Sequence, residues 1–341
     1  MEAGSVPTAV AVPWVERLRG TPVARALARR PQWAAAGVIA LFVLILIAAY
    51  GIHDVAQTGL NGLSLGSVYA LGAVGLTLVY GILKLVNFAH GDFLTFGAFM
   101  AFLVNVTWGV PLVFAIVFAM ALTAVLGVLF ERVMWGPMRA RGAGLLQLLL
   151  MSIGLAFVIR YGIQYVWGTE IRSLDVNDIA TVEFLGLRIG RTELIVIIVG
   201  FAVLIATGLM LKYSLLGKQM RALADNLELA ETAGIDTSRV VLFTWVFAGA
   251  LAGLAGVLAG AVTDVRPTLG FGLLLPIFAA VILGGIGDAF GALAGGIVLG
   301  LMIEWSTLLI DFRWKTAVGF AVLIIVLVVR PQGIFGRART I

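Results

Sequence analysis

The sequence predicts an all-α fold, a polytopic membrane helix bundle of about ten transmembrane helices. Three observations predict it: the composition, the lengths of the apolar runs and the distribution of basic residues. Hydrophobic residues form 61% and charged residues 12% of the 341 residues, and the mean hydropathy is +1.09. Soluble globular domains carry about 25% charged residues. The composition therefore indicates an integral membrane protein.

Ten apolar runs are long enough to form helices that cross about 30 Å of hydrocarbon. They cover residues 33–52, 59–83, 87–107, 110–131, 144–167, 193–211, 240–262, 270–286, 289–310 and 314–330. The eighth run is short and bounded by glycines. It is therefore predicted to be tilted, re-entrant or continuous with the ninth.

Lysine and arginine predict the side of the membrane for each loop, because cytoplasmic loops carry an excess of both. With the N-terminus inside, 16 of the 23 basic residues fall in inner segments and 6 in outer segments, while Arg160 lies within a span. Both termini are thus predicted to be cytoplasmic. The net charge of +5 marks one face of the bilayer, not a nucleic-acid surface. Because the sequence has no cysteine and only two histidines, neither disulfides nor a metal site is expected.

Residues 1–32 form a basic N-terminal extension that we expect to be disordered and cytoplasmic. All five of its arginines precede the first apolar run. A signal peptide has this polarity, but its apolar part usually has about 7 to 15 residues and a small-residue cleavage site follows. Residues 34–49 run longer without an obvious site, so the first helix is predicted to be uncleaved. An arginine-rich organelle transit segment is the alternative.

Two longer loops interrupt the predicted membrane domain, residues 33–337, on opposite faces. The outer loop, 168–192, contains TVEFLGLRIG, in which apolar residues alternate around a central glycine and predict a small β-hairpin. The inner loop, 212–239, is charged and rich in alanine. We expect one partner on each side, although two ordinary solvated loops would have the same composition.

The inner loop predicts a short amphipathic helix outside the membrane. Its residues mix good helix formers with an apolar stripe, and Gly234 follows in a C-cap position. The loop also contains LLGKQ, around Gly217 and Lys218, which lacks the earlier glycine and the hydroxyl residue of a phosphate-binding loop. We therefore expect no ATP hydrolysis in this chain.

Many of the 42 glycines are spaced four residues apart, which predicts close helix packing. A glycine has no side chain to hold two helix backbones apart. The glycines assigned to this role are Gly62, Gly66, Gly249, Gly253, Gly287, Gly291 and Gly295.

The stretch LKLVNFAHGDFLTF, which begins at Leu83, concentrates polar residues between two apolar runs. Asn87 is predicted to be the N-cap of the third span, because a start at Phe93 would leave that span too short for the bilayer. His90 and Asp92 then fall at the inner edge of the membrane. The three side chains are predicted to line the inner part of a solute path or its gate. The alternative is that they only cap a helix at the interface.

Two further charges lie inside predicted spans. Counted from the outer ends of the fifth and ninth spans, Arg160 and Glu304 both lie about 9 to 10 Å below the outer surface. An isolated charge at that depth is costly, so the two are predicted to pair. The alternative is that each side chain reaches water separately, or reaches Arg313 and Asp311.

The run NGLSLGSVYALGAVGLTLVYGILKLVNFAHGDFLTFGAFMA, from Asn61, resembles the signature region of the branched-chain amino-acid ABC transporter permeases, the LivH-type membrane subunits. Other stretches are similar at the expected places: ERVMWGPMR from Glu131, LLGKQMRALADNLELAETAGIDTSRV from Leu215, AVILGGIGDAFGALAGGIVLG from Ala280, and the closing VVRPQGIFGR. The resemblance covers residues 59–337.

This resemblance implies a permease subunit of the bacterial cytoplasmic (inner) membrane that imports branched-chain amino acids. The implied partners are a second, LivM-like permease, two ATPase subunits that bind ATP and magnesium, and a soluble substrate-binding protein. No cofactor is expected in this chain. The resemblance also implies that the inner loop docks on an ATPase and couples its closure to transport, through Arg221, Ala222, Asn226, Glu228, Ala230, Glu231 and Gly234.

Three other functions fit the same sequence features. A permease of the same family could carry urea or short amides. A secondary transporter would use intramembrane ionisable groups as relays, for which His90, Asp92, Asp288 and Glu304 are candidates. A channel for urea or a small amide would need no coupling loop.

Overall fold

The structure, a computed structural model, describes residues 31–176, 181–184, 186–329 and 333. The predicted disorder of the basic extension falls mostly on residues 1–30, which lie outside the described residues. The chain divides into two compact units at residues 49 and 50. The first contains nearly all of helix α1 (Pro31–Tyr50), and the second contains every later element.

The second unit is built from helices and one small sheet. It begins with α2 (Ile52–Leu83), α3 (His90–Phe102), α4 (Leu112–Phe130), α5 (Gly136–Ala140) and α6 (Leu145–Trp167), and π-helical turns extend α3 and α4 over Leu103–Thr107 and Glu131–Trp135. Next come β1 (Thr181–Phe184), β2 (Leu187–Gly190), α7 (Arg191–Tyr213), α8 (Leu215–Asp225), α9 (Leu227–Thr232) and α10 (Thr237–Val262). The last elements are α11 (Leu269–Gly284), α12 (Ala289–Ser306), a 3-10 turn (Phe312–Trp314) and α13 (Lys315–Val329).

Six helical stretches in the described part of the chain are long and apolar enough to cross a membrane: α2, α4 with its continuation to Ala140, α6, α7, α10 and α12. The prediction of a mostly helical, multi-pass membrane bundle is therefore confirmed. The count of ten spans and the cytoplasmic side of both termini stay predictions.

The eighth predicted span corresponds to α11, which has 16 residues and contains Pro276. At 1.5 Å per residue the helix is about 24 Å long, shorter than the roughly 30 Å of hydrocarbon. Gly285 ends it with a φ of 108°, and α12 begins only at Ala289. Helices α11 and α12 are therefore separate, and the option of one continuous helix was wrong.

Helix α2 lies at the centre of the bundle, and glycines allow it to pack closely along α12. A methyl group added at Gly62 would lie 2.9 Å from the Leu301 Cα, and one at Gly66 would lie 3.0 Å from the Ile297 Cα. The distance at Gly62 is shorter than real side chains show, and the distance at Gly66 is shorter than most of them show. The two backbones therefore touch directly at these positions.

Helix α10 packs in the same way against α4. A methyl group at Gly249 would lie 2.7 Å from the Thr123 carbonyl oxygen, and one at Gly253 would lie 2.9 Å from the Thr123 hydroxyl. Gly291 and Gly295 on α12 likewise touch the backbone of α11. Gly287 differs from the other members of the predicted set. It lies in the turn before α12 with a φ of 89°, so its assignment to helix packing was wrong.

The predicted hairpin in the outer loop is present as the antiparallel pair β1–β2. Val182 lies opposite Ile189 and Phe184 lies opposite Leu187, with Gly186 in the turn between them. The hairpin is fixed to the start of α2. The Gln57 amide nitrogen donates to the carbonyl of Arg188 (2.6 Å), and its amide oxygen accepts from the Arg188 backbone nitrogen (2.9 Å).

Candidate functional site

The stretch between α2 and α3 is a turn in which Leu85, Asn87 and Ala89 are buried. Helix α3 begins at His90, with Ala89 in the N-cap position. The Asn87 side chain, 0% exposed, accepts a hydrogen bond from the Ala89 backbone nitrogen (3.1 Å). Asn87 therefore folds the turn that precedes the helix, and its assignment as the N-cap was wrong.

His90 and Asp92 are engaged within the bundle. The His90 Nε2 lies 2.9 Å from the Gly72 carbonyl oxygen on α2. Asp92 accepts two hydrogen bonds of 2.9 Å each from Arg160 on α6, through the guanidinium Nε and Nη2. All three side chains of the polar stretch, including Asn87, are buried by neighbouring helices of the same chain. Their role in lining a path stays a prediction.

The predicted Arg160–Glu304 ion pair is wrong, because each residue has another partner. Arg160 pairs with Asp92 and also lies over the ring of Phe271, 4.4 Å from its centroid. Asp92 was predicted to lie at the inner edge of the membrane, away from Arg160, whereas its side chain is buried and bonds to Arg160 of α6. The sequence signal available was that Asp92 and Arg160 both lie within predicted spans and have opposite charges.

Glu304 pairs instead with Lys315. The Lys315 ammonium lies 2.7 Å and 2.9 Å from the two Glu304 carboxylate oxygens. Glu304 lies near the end of α12, and Lys315 is the first residue of α13. The pair therefore closes the connection between consecutive helices. Sequence reasoning had considered Arg313 and Asp311 as partners and missed Lys315.

A cavity of about 570 Å³ opens beside this ion pair, on the side of the bundle that is predicted to face outwards. Helices α2, α10, α11, α12 and α13 form most of its wall. Nine residues in the wall have ionisable, hydroxyl or amide side chains: Asn61, Ser64, Tyr69, Glu193, Thr263, Arg266, Glu304, Lys315 and Thr316. The rest of the wall is mainly apolar. This combination of an apolar wall and a few polar groups is typical of a small-molecule site.

The inner loop folds as two short helices, so the prediction of one continuous helix was wrong. Asn226 adopts an extended backbone that ends α8, and its side chain then caps α9 by accepting from the Leu229 backbone nitrogen (3.0 Å). A cap residue inside the alanine-rich stretch therefore breaks the helix. Gly234 follows the end of α9 with a φ of 82°, as its C-cap assignment requires.

The predicted coupling residues do not share one exposed face. Glu228 and Glu231 are exposed, but Ala230 is only 4% exposed and belongs to the core, against which Ala222 also packs. Arg221 donates to the Lys212 carbonyl oxygen (3.3 Å) at the end of α7. Helix α9 instead exposes two leucines, Leu227 at 42% and Leu229 at 66%, and Leu215 at the start of α8 is also exposed, at 73%.

The stretch ERVMWGPMR forms a compact corner at the end of α4. Its π-helical turn brings Glu131 and Arg139 into an ion pair in which the Glu131 side chain is buried. Trp135 is fully buried and stacks on Trp245 of α10, with ring centroids 6.3 Å apart. This corner therefore joins the end of α4 to the neighbouring helix.

The described residues form an apolar multi-pass bundle with buried ion pairs, a partly polar cavity and short helices between its spans, which is an architecture that membrane permeases have. The chain belongs to the family described as the permease component of the branched-chain amino acid transport system, whose model matches residues 58–327.

Relatives of the chain have the same kind of name. It is 35% identical over 295 residues to the high-affinity branched-chain amino acid transport system permease protein LivH of Escherichia coli K12, covering 82% of this chain and 95% of that one. It is 32% identical over 300 residues to BraD of Pseudomonas aeruginosa, covering 84% and 97%. The ribose import permease protein RbsC of Escherichia coli K12 is 30% identical over 291 residues, covering 80% and 85%.

Proposed function

We propose that this chain is the membrane-spanning subunit of an ATP-driven ABC importer for branched-chain or related amino acids in the bacterial cytoplasmic membrane. In this proposal it forms the solute path with a second, LivM-like permease. Two ATPase subunits, which bind ATP and magnesium, dock inside, and a soluble binding protein docks outside. The observation that carries the proposal is the match along 95% of a branched-chain amino acid permease.

The folding of LLGKQ supports a separate ATPase. Gly217 and Lys218 lie within helix α8 and not in a loop that could cradle a phosphate. A methyl group at Gly217 would collide with the backbone of Met210 and Leu211, so this glycine permits close packing against the end of α7. The Gly217 backbone nitrogen is also taken, because it donates to the Ser214 hydroxyl (2.9 Å).

The secondary-transporter alternative receives less support, because its candidate relay groups have partners. Asp92 pairs with Arg160 and Glu304 pairs with Lys315. Asp288 caps α12 by accepting from the Phe290 and Gly291 backbone nitrogens. A proton relay requires groups that exchange protons along a path, whereas these groups are held in local contacts.

The identity of the solute is the part of the proposal that most needs a test. One relative is named for ribose import, and a permease of this family could also carry urea or short amides. The experiment is reconstitution of the chain with its second permease and ATPases in liposomes, with the cognate binding protein outside. We expect uptake of radiolabelled L-leucine that requires ATP and the binding protein and is insensitive to an uncoupler. Uptake of ribose or urea without leucine would replace the amino acid, and uptake by this chain alone would overturn the ABC assignment.

A further inference from the structure

The Glu304–Lys315 pair at the cavity is oriented against the helix dipoles. Glu304 lies in the last turn of α12, where the negative end of the dipole disfavours an acid. Lys315 is the first residue of α13, where the positive end disfavours a base. The reverse arrangement would have kept the same ion pair with both dipole interactions favourable. Stability alone therefore does not explain this orientation.

Both members of the pair line the cavity and keep unused hydrogen-bonding capacity. A lysine ammonium has three donors, and Glu304 uses two of them. The carboxylate has about four acceptor positions and receives two hydrogen bonds from Lys315. Lys315 is half-buried and Glu304 is buried. A ligand in the cavity can therefore meet one positive and one negative group side by side without separating them.

Ser64 provides a second, independent observation. Its side chain lines the cavity, is 2% exposed, and its hydroxyl has no hydrogen-bond partner within the described residues. A buried hydroxyl without a partner is destabilising. One turn along the same helix, Ser67 donates in the usual way to the Leu63 carbonyl oxygen (2.7 Å). The Ser64 hydroxyl is therefore an unused hydrogen-bonding group in a residue of the cavity wall.

The remaining wall of the cavity selects for an apolar group. It includes Leu65, Val68, Leu269, Leu273, Ile303 and Phe320. The cavity also holds one further acid and one further base, Glu193 and Arg266, so its ionisable lining is balanced in charge. A volume of about 570 Å³ lies within the usual range for small-molecule sites.

We propose that this cavity is a transient binding site for the zwitterion of an apolar α-amino acid. Glu304 accepts from the ligand ammonium, Lys315 and Ser64 donate to the ligand carboxylate, and the apolar wall contacts the ligand side chain. The inference rests on the proposed function, because it identifies where the imported solute would bind within this subunit. A balanced pair of charges favours a zwitterion, since a cation or an anion alone would leave one member of the pair facing a like charge.

The test uses the assembled importer in detergent without its binding protein, and radiolabelled L-leucine as the probe. The double variant Glu304→Lys with Lys315→Glu retains the ion pair and reverses its orientation. We expect unchanged or higher thermal stability, because both dipole interactions become favourable, together with loss of leucine binding. Ser64→Ala should weaken leucine binding about tenfold, the typical loss of one hydrogen bond to a charged group. Ser67→Ala is the matched control and should bind leucine like the parent.

The outcomes separate this inference from the proposed function. Leucine uptake in the reconstituted importer, together with unaltered binding in both cavity variants, would overturn the site and leave the function standing. Absence of leucine uptake by the parent importer would overturn the function itself. Competition by isocaproate or by leucinol as strong as that by leucine would show that the site does not require both charges of a zwitterion, and would also overturn the inference.

Discussion

Arg160 donates two parallel hydrogen bonds of 2.9 Å to Asp92, and this pair joins α6 to α3 inside the bundle. The Asp92 side chain is fully buried, and the guanidinium is covered on one face by Phe271. A bidentate pair satisfies both carboxylate oxygens, which is the condition under which two opposite charges are tolerated away from water. Helix α6 is also attached to the turn before α3, because the Ser152 hydroxyl accepts from the Phe88 backbone nitrogen (3.1 Å), and its other buried side chains are apolar. The Arg160–Asp92 pair therefore provides a second polar attachment of α6, on α3.

Removal of one member of the Arg160–Asp92 ion pair should destabilise the protein more than removal of both members. Arg160→Met leaves an unpaired buried carboxylate, and a loss of about 3–5 kcal/mol is typical for this situation. The double variant Arg160→Met with Asp92→Leu leaves no uncompensated charge and should recover much of the loss. The measurement is the yield and melting temperature of the detergent-solubilised protein.

The charge swap between non-partners provides the control for that experiment. Arg160→Glu combined with Glu304→Arg should not recover stability, because the two residues contact different partners. The swap Arg160→Asp with Asp92→Arg should recover part of it. Single variants as stable as the parent would show that the pair is not needed for the fold.

Glycines at backbone contacts should respond differently from glycines facing open space. Gly249→Leu places a side chain where even a methyl group would lie 2.7 Å from the Thr123 carbonyl oxygen, so α10 and α4 must separate. We expect a loss of folded protein, measured by size-exclusion chromatography. Gly162→Leu on α6 is the matched control, because a methyl group there has no atom within 4 Å. It should be tolerated, and helix propensity favours it by up to about 1 kcal/mol.

Features that depend on periodicity or local chemistry were predictable from the sequence. The alternation in TVEFLGLRIG predicted a hairpin, and the structure has one, with Val182 opposite Ile189. The family motifs between Asn61 and Gly300 lie within the matched region, residues 58–327. The bundle class followed from the composition together with the lengths of the apolar runs. These predictions hold because each depends on neighbours in the chain or on the solvent.

Features that depend on three-dimensional neighbours were not predictable. Depth along the membrane normal is one coordinate of three, so Arg160 and Glu304 were assigned to each other although their partners are Asp92 and Lys315. Asn226 fits an amphipathic helix pattern and also a cap, and only the fold decides that it breaks α8 from α9. The cavity combines residues from six helices, which no local pattern reveals.

The hairpin should depend on one side chain of α2. Gln57→Ala removes both hydrogen bonds from α2 to the Arg188 backbone. The hydrogen bond between the His53 Nε2 and the Gly186 carbonyl oxygen (2.9 Å) then still attaches the hairpin to α2. We expect faster amide hydrogen exchange in β2 and, if the hairpin faces the binding protein, lower uptake at limiting binding protein. Thr58→Ala is the control, because the Thr58 hydroxyl bonds only to the Asp54 carbonyl oxygen within α2. Equal exchange in both variants would contradict the prediction.

We expect the inner loop to contact the proposed ATPase subunit through Leu229 and not through Ala230. Leu229 is 66% exposed and is the more exposed of the two exposed leucines of α9, whereas Ala230 is buried in the subunit itself. Leu229→Arg should therefore reduce co-purification of the ATPase and uptake while the permease folds normally. Ala230→Arg should instead lower the melting temperature of the permease, because its charge would be forced into the core. Ser238→Arg adds the same charge at an exposed site on α10 and should retain the ATPase. Normal ATPase binding by Leu229→Arg would show that docking uses another surface.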